Sequence, residues 1–253
     1  MKHPAIRWIF LLASSVSFVS VQAAVTLEGT RVIHDAGLGR DVTVKATNTG
    51  TQPAMTQVWI DRADNQAPPE QVRTPFRLTP SEPRLVQAQQ GQAYRITYAP
   101  RPSDAPLPQD RESLFYFNLL DIPPKPAAAA EQNLLQFAVH TRIKLFHRPA
   151  GLPGHARDAA AALRWTMDND RLHVTNSSAY HVTLTDLVTE GGLKFGADMI
   201  APYSTIAIPI PETVKSISNI RFTWLDDYGA QREAKAVVET SATKRSSSRS
   251  AGY

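Results

Sequence analysis

Ser113-Leu114-Phe115-Tyr116-Phe117-Asn118-Leu119 is the most aromatic segment of the chain, and Asp121-Ile122-Pro123-Pro124 closes it. It reads as the central strand of a β domain, since aromatic residues favour strands and a double proline ends one. Shorter candidates lie on either side. Leu27–Ile33 is the first. Asp41-Val42-Thr43-Val44-Lys45-Ala46 alternates cleanly and stops at the turn signal Asn48-Thr49-Gly50. Met55–Ile60 follows, then Phe76–Leu78 and Arg84–Val86 flank Pro80-Ser81-Glu82-Pro83. Tyr94–Tyr98 alternates again before Pro100. A long strand is expected over Asn133–Phe146, after an alanine-rich loop at Lys125–Gln132 with room for a helical turn.

Prolines outnumber glycines, 19 to 12, and they punctuate these short segments. Such spacing points to a β-sandwich rather than a helical bundle. The first sandwich is complete near His147. Arg148–Arg157, with Pro149, Gly151, Pro153 and Gly154, reads as a linker. A short helix is expected at Ala159–Leu163. Leu172–Val174, Tyr180–Leu184, Thr205–Ile210, Ile220–Trp224 and Ala234–Val238 supply the strands of a second domain.

The N-terminus carries Lys2 and Arg7, an apolar stretch from Trp8 to Val19, and Val21-Gln22-Ala23, which fits a signal-peptidase site. The stretch is short for a membrane span. The expected organisation is therefore a leader over 1–23, sandwiches over 24–147 and 148–240, and a disordered basic tail over 241–253. Domains of this size bury a core without disulfides or metals, and the chain has no cysteine.

The net charge is +4 over 253 residues, but the basic excess sits at the two ends. Residues 24–240 hold 22 basic and 23 acidic groups. A nearly neutral body lacks the footprint of a nucleic-acid binder. Enzyme and nucleotide motifs are missing too: there is no G-x-S-x-G, no phosphate-binding loop and no H-E-x-x-H. The histidines show no zinc spacing, and thiolate chemistry is excluded. No catalytic residue, metal or cofactor is expected.

Within Asn133–Thr141, Leu135, Phe137 and Val139 share one face, and Gln136, Ala138 and His140 the other. Periodicity fits two arrangements. The apolar row packs inside its own sandwich, or the strand sits at an edge and offers that row and its backbone to another chain.

Four segments together resemble the periplasmic pilus chaperones of chaperone–usher systems. They are Ala24–Arg31 (AVTLEGTR), Leu107–Asn118 (LPQDRESLFYFN), Thr141–Pro149 (TRIKLFHRP) and Asp227-Tyr228-Gly229. The resemblance implies two immunoglobulin-like domains in an L-shaped arrangement with a cleft between them. Leu135, Phe137 and Val139 would fill the groove of a pilus subunit that lacks a strand, burial worth roughly 1.5–3 kcal/mol per side chain before association costs. Arg31 and Lys144 match the cations that anchor the subunit's C-terminal carboxylate. Lys144 has the opposite parity to the apolar row, so a bend or bulge between them is expected. Glu112, Arg148 and Asp227 fall at inter-domain salt-bridge positions. The short loop at Lys125–Gln132 resembles that of the short-loop subgroup. The implied partners are pilus subunits and an outer-membrane usher, with a self-capping dimer open to the free chain and no nucleotide or nucleic acid. A secreted β-sandwich adhesin or fibre component is the alternative, and a secreted hydrolase lacks any motif.

Overall fold

The computed structural model describes residues 24–39, 41–62, 68–124, 136–168, 171–211, 214 and 216–240. The leader, the tail, the whole alanine-rich loop over 125–132 and Leu135 lie outside them. Nine strands form the first sandwich: β1 (Val25–Leu27), β2 (Arg31–Asp35), β3 (Asp41–Asn48), β4 (Ala54–Asp61), β5 (Phe76–Thr79), β6 (Arg84–Val86), β7 (Gly91–Tyr98), β8 (Ser113–Ile122) and β9 (Val139–Arg148). One sheet runs β1-β3-β7-β5 and the other β2-β9-β8-β4-β6. The aromatic segment is indeed central: β8 is flanked by β9 and β4, and Phe115, Phe117 and Leu119 are fully buried. With Val44, Ala46, Tyr94 and Ile96 from the facing sheet they form one continuous core.

The expected first strand is two strands in different sheets. β1 pairs antiparallel with β3, whereas β2 pairs parallel with β9. Gly29, at φ +93°, makes the crossing in a conformation that side chains other than glycine's rarely adopt. Likewise β5 and β6 do not pair with each other across their proline turn; they join opposite sheets. Moving between sheets in this way caps both layers at their edges.

After β9 comes a one-turn helix, α1 (Ala156–Ala159), slightly before the expected position, with Ala159 and Ala160 under the second core. The second sandwich comprises β10 (Arg164–Asp168), β11 (Arg171–Asn176), β12 (Val182–Thr189), β13 (Lys194–Gly196), β14 (Met199–Ile200), β15 (Ser204–Pro209), β16 (Asn219–Leu225) and β17 (Gln231–Thr240). β17 belongs to both layers: Gln231–Val237 pair with β16, and Val238–Thr240 run parallel to β10. Trp165, Leu172, Leu187, Ile200, Ile220 and Phe222 fill the space between. The architecture is all-β, two sandwiches in sequence, as expected.

Candidate functional site

β9 is paired unequally on its two sides. Against β8 it is paired from Val139 to His147 without interruption. Against β2 it is paired only from Lys144 to Arg148. Val139–Ile143 therefore present a free edge on the β2 side, with no strand beside it among the described residues. That stretch is not loose. On its outer face, His140 stacks on Trp59 at 5.0 Å between ring centres and meets Asn118 Oδ1 at 3.0 Å. Arg142 donates to Asp61 Oδ1 at 2.7 Å and lies 3.6 Å above the Tyr116 ring. A free edge held in this way is preorganised to pair with a further strand.

The free edge begins where two cations stand side by side. Arg31 and Lys144 are register partners at the first rung of the β2–β9 ladder, so their side chains share a face. Arg31 Nη1 donates to the Leu225 carbonyl in the second sandwich at 3.3 Å, and the guanidinium carbon lies 5.8 Å from the centre of the Phe146 ring. Its Nε is buried without a hydrogen-bond partner. Burial pulls its pKa below the usual arginine value despite the charges of Asp227, Asp226 and Glu112. Burial and the Arg31 charge likewise pull Lys144 down, with Asp198 opposing. Among the described residues neither cation has a carboxylate in ion-pair contact. Two adjacent, partly desolvated cations without a counter-charge are a ready site for a carboxylate.

Four residues further along the same face, the opposite condition holds. Arg148 donates to Glu112 Oε1 at 2.9 Å through Nε and grips both oxygens of Asp227 at 3.0 and 3.1 Å. Burial alone would lower its pKa; the hydrogen bonds to Asp227 and the two carboxylate charges raise it well above the ordinary value. Glu112 is 4 % exposed. Burial pushes its carboxyl up, but hydrogen bonds from His181 and the Arg148 charge outweigh that, and its pKa lies below the ordinary range. The contacts from His181 are its backbone N–H at 2.8 Å and Nδ1 at 3.2 Å. This network joins β8 and β9 of the first sandwich to β12's approach and the β16–β17 turn of the second. That turn fits closely: a Cβ on Gly229, at φ +79°, would collide with the Thr30 hydroxyl.

The structure thus brings Arg31 to Lys144, and Glu112 to Arg148 and Asp227. The apolar row is placed differently from expectation. Among the described residues the strand starts at Val139 and does not include 136–138; Phe137 precedes it and is 53 % exposed, while 133–135, Leu135 among them, are outside the described residues. No bulge separates Val139 from Lys144, because unbroken pairing with β8 holds the strand regular. Val139, half-buried, lies on the interior face with Ile143 and Leu145, and Lys144 lies on the outer face with Phe146 and Arg148. The opposite parity is plain alternation: Val139, Ile143 and Leu145 take one face of the strand, and Lys144 and Arg148 take the other. His181 and the Leu225 carbonyl were not legible in advance, since nothing local marks either.

The comparisons agree with this architecture. Residues 24–153 match the family model described as pili and flagellar-assembly chaperone, PapD N-terminal domain, and residues 158–236 match pili assembly chaperone PapD, C-terminal domain. The chain is 38% identical to chaperone protein HifB of Haemophilus influenzae over 232 residues, 90% of this chain and 94% of that one. It is 36% identical to the probable fimbrial chaperone YadV of Escherichia coli K12 over 247 residues, 93% and 97% of the two chains. Among solved structures, the YadV chaperone superimposes with a TM-score of 0.70 at 32% identity, covering 85% of this chain and 99% of that one. A Salmonella enterica structure of SafA pilin in complex with the SafB chaperone gives 0.72 at 25% identity, covering 87% and 98%. The two matched family models and the named fimbrial chaperones make this an assembly chaperone rather than a fibre component. The chain belongs to the PapD-type family of pilus-assembly chaperones.

Proposed function

We propose that this chain is a periplasmic chaperone that holds pilus subunits along the free edge of β9, and that Arg31 and Lys144 grip the subunit's C-terminal carboxylate. The observation that carries the reading is the coincidence of the two features: the ladder between β2 and β9 stops at the rung where the cations stand. An incoming strand can pair with Val139–Ile143 only if it ends, or turns, at that rung. A terminal carboxylate would supply the missing counter-charge there, with the Arg31 guanidinium and the Lys144 ammonium, adjacent at that rung, as the donors. The SafA–SafB complex supports a pilin as the guest.

In this reading Leu135, Phe137 and Val139 enter the subunit's groove, Phe137 being the exposed anchor. Glu112, Arg148 and Asp227 hold the two sandwiches at the angle that forms the cleft. The leader over 1–23 directs export and is removed after Ala23, leaving bodies over 24–147 and 148–240 and a basic tail. An outer-membrane usher receives the subunit, and a second copy caps the edge of the free chain. Exchange draws on subunit folding rather than on a nucleotide.

The test is a subunit prepared with its C-terminal carboxylate intact or converted to a carboxamide. The carboxamide form is expected to bind roughly 10–100-fold more weakly, the effect of losing charge-assisted hydrogen bonds. Equal affinity for both forms would remove carboxylate anchoring.

A further inference from the structure

Asp121 is the one acid on the inward row of β8, following Phe115, Phe117 and Leu119 on the same face. It is 3 % exposed. Its Oδ2 accepts the backbone N–H groups of Ala24 and Val25, each at 3.0 Å, and its Oδ1 is buried without a partner. Among the described residues no cation forms an ion pair with it. A buried carboxylate with two neutral donors on one oxygen and none on the other is a costly, half-satisfied group.

Ala24 is held firmly beside it. Its carbonyl accepts the Thr49 N–H at 2.7 Å and the Thr49 hydroxyl at 3.2 Å, and its Cβ packs against Gly50 closely enough that a Cβ there would come within 3.0 Å. The nitrogen of Ala24 is thus fixed in front of Asp121 by contacts that involve nothing upstream.

We propose that Asp121 is a receptor for an α-ammonium at Ala24, created when the leader is removed. This rests on the reading that cleavage falls after Ala23. Hydrolysis breaks the Ala23–Ala24 C–N bond and adds water. Ala23 leaves with the new carboxylate, and the Ala24 nitrogen becomes –NH3+ at neutral pH. One amide donor is replaced by three, enough to serve Oδ1 as well as Oδ2, and the buried negative charge acquires its counter-charge in place. Asp121 also faces Val139 across the β8–β9 ladder, so the pair forms beneath the first residue of the free edge. Processing then completes the sandwich that presents that edge.

All strands of both sandwiches lie within residues 24–240, so a chain starting at Ala24 contains every element described. That chain, released from a cleavable fusion, is compared with the same chain carrying a Gly-Ser extension, each with Asp121 or Asp121→Asn. In urea unfolding at pH 7, the free Ala24 start is expected to lower the unfolding constant roughly 10–100-fold relative to the extended start, and Asp121→Asn to abolish the difference. Equal stability of the two starts, or a difference that survives Asp121→Asn, overturns the proposal. Should Asp121→Asn not fold, labelling with an α-amine-specific aldehyde decides: the Ala24 amine should react at least about tenfold more slowly in the native chain than in urea, while the extended chain reacts alike in both. Equal rates for the free start overturn it. N-terminal sequencing of the exported full chain separately tests cleavage after Ala23; another start there removes the processing reading, while the unfolding cycle alone decides whether Asp121 holds the ammonium.

Discussion

Lys144 and Arg148 project from the same face of β9, four residues apart, and live under opposite electrostatic regimes. Arg148 is saturated: two carboxylates meet it, one of them on both oxygens, and its pKa is driven up. Lys144 and its neighbour Arg31 are starved: burial lowers both pKa values, and among the described residues no carboxylate forms an ion pair with either. A fold that supplies counter-ions so fully at one end of a strand has not run out of acids at the other. Two adjacent, partly buried cations repel each other in the free chain, a cost that the proposed anionic guest would remove. In the proposed reading, the saturated cluster would fix architecture and the starved one would select a partner.

The widest separation of the two clusters is expected from replacing both starved cations. Arg31→Ala with Lys144→Ala should weaken subunit binding by roughly 100- to 10,000-fold, two charge-assisted contacts at about 1.5–3 kcal/mol each. The free chain should lose little stability, because relief of the repulsion between the two cations offsets the lost Arg31–Leu225 hydrogen bond; calorimetric binding and urea unfolding read the two effects. A matching loss of stability would show that the pair is structural. Next comes Arg148→Ala, which leaves Glu112 buried with its main cation gone. Unfolding free energy should fall by about 3–5 kcal/mol, with binding affected only through the relative placement of the sandwiches. If Arg148→Ala unfolds no more easily than the parent, the contrast between the clusters collapses.

A third basic residue of β9 sharpens the comparison from inside the core. His147 is 2 % exposed, stacked on Tyr98 at 4.3 Å, and meets His34 Nδ1 at 3.1 Å. Burial, with the His34 charge adding, pushes its pKa down to about 4. The unfolded chain takes up this proton near the ordinary value of 6.5 and the folded chain only near 4. Stability therefore falls as pH drops through that window, by about 3 kcal/mol at pH 4. His147→Gln should flatten this limb of the urea midpoint against pH; an unchanged limb assigns it elsewhere.

Much of this was legible in the sequence, for reasons that differ by element. The aromatic run at Ser113–Leu119 and the alternation at Asp41–Ala46 sit in regular, well-paired strands, where local pattern and tertiary role agree. The split of Leu27–Ile33 was not legible, because a sheet crossing at Gly29 is set by two distant partners, β3 and β9. The two-residue β14 and three-residue β13 are too short to show a period. At the site, Arg31 and Lys144 were reached through resemblance, not periodicity, and the expected bulge before Lys144 came from assuming one functional face where the strand uses two. His181 and Asp121 stayed hidden because each takes its meaning from groups 69 and 97 residues away.

If a guest's terminus is held as proposed, the rung shared by Arg31 and Lys144 would have a metrological role. It is a datum from which the free edge is measured: Val139–Ile143 extend about 13 Å from end to end at strand spacing. A guest tethered at that zero mark has its alternation dictated for it, and an offset of one residue would exchange its inward and outward sets. The chaperone would then read where a guest chain stops without reading most of its sequence. Guests with differing side chains but a common distance from terminus to groove would seat alike, and a guest one residue longer or shorter would be rejected by its own pleat.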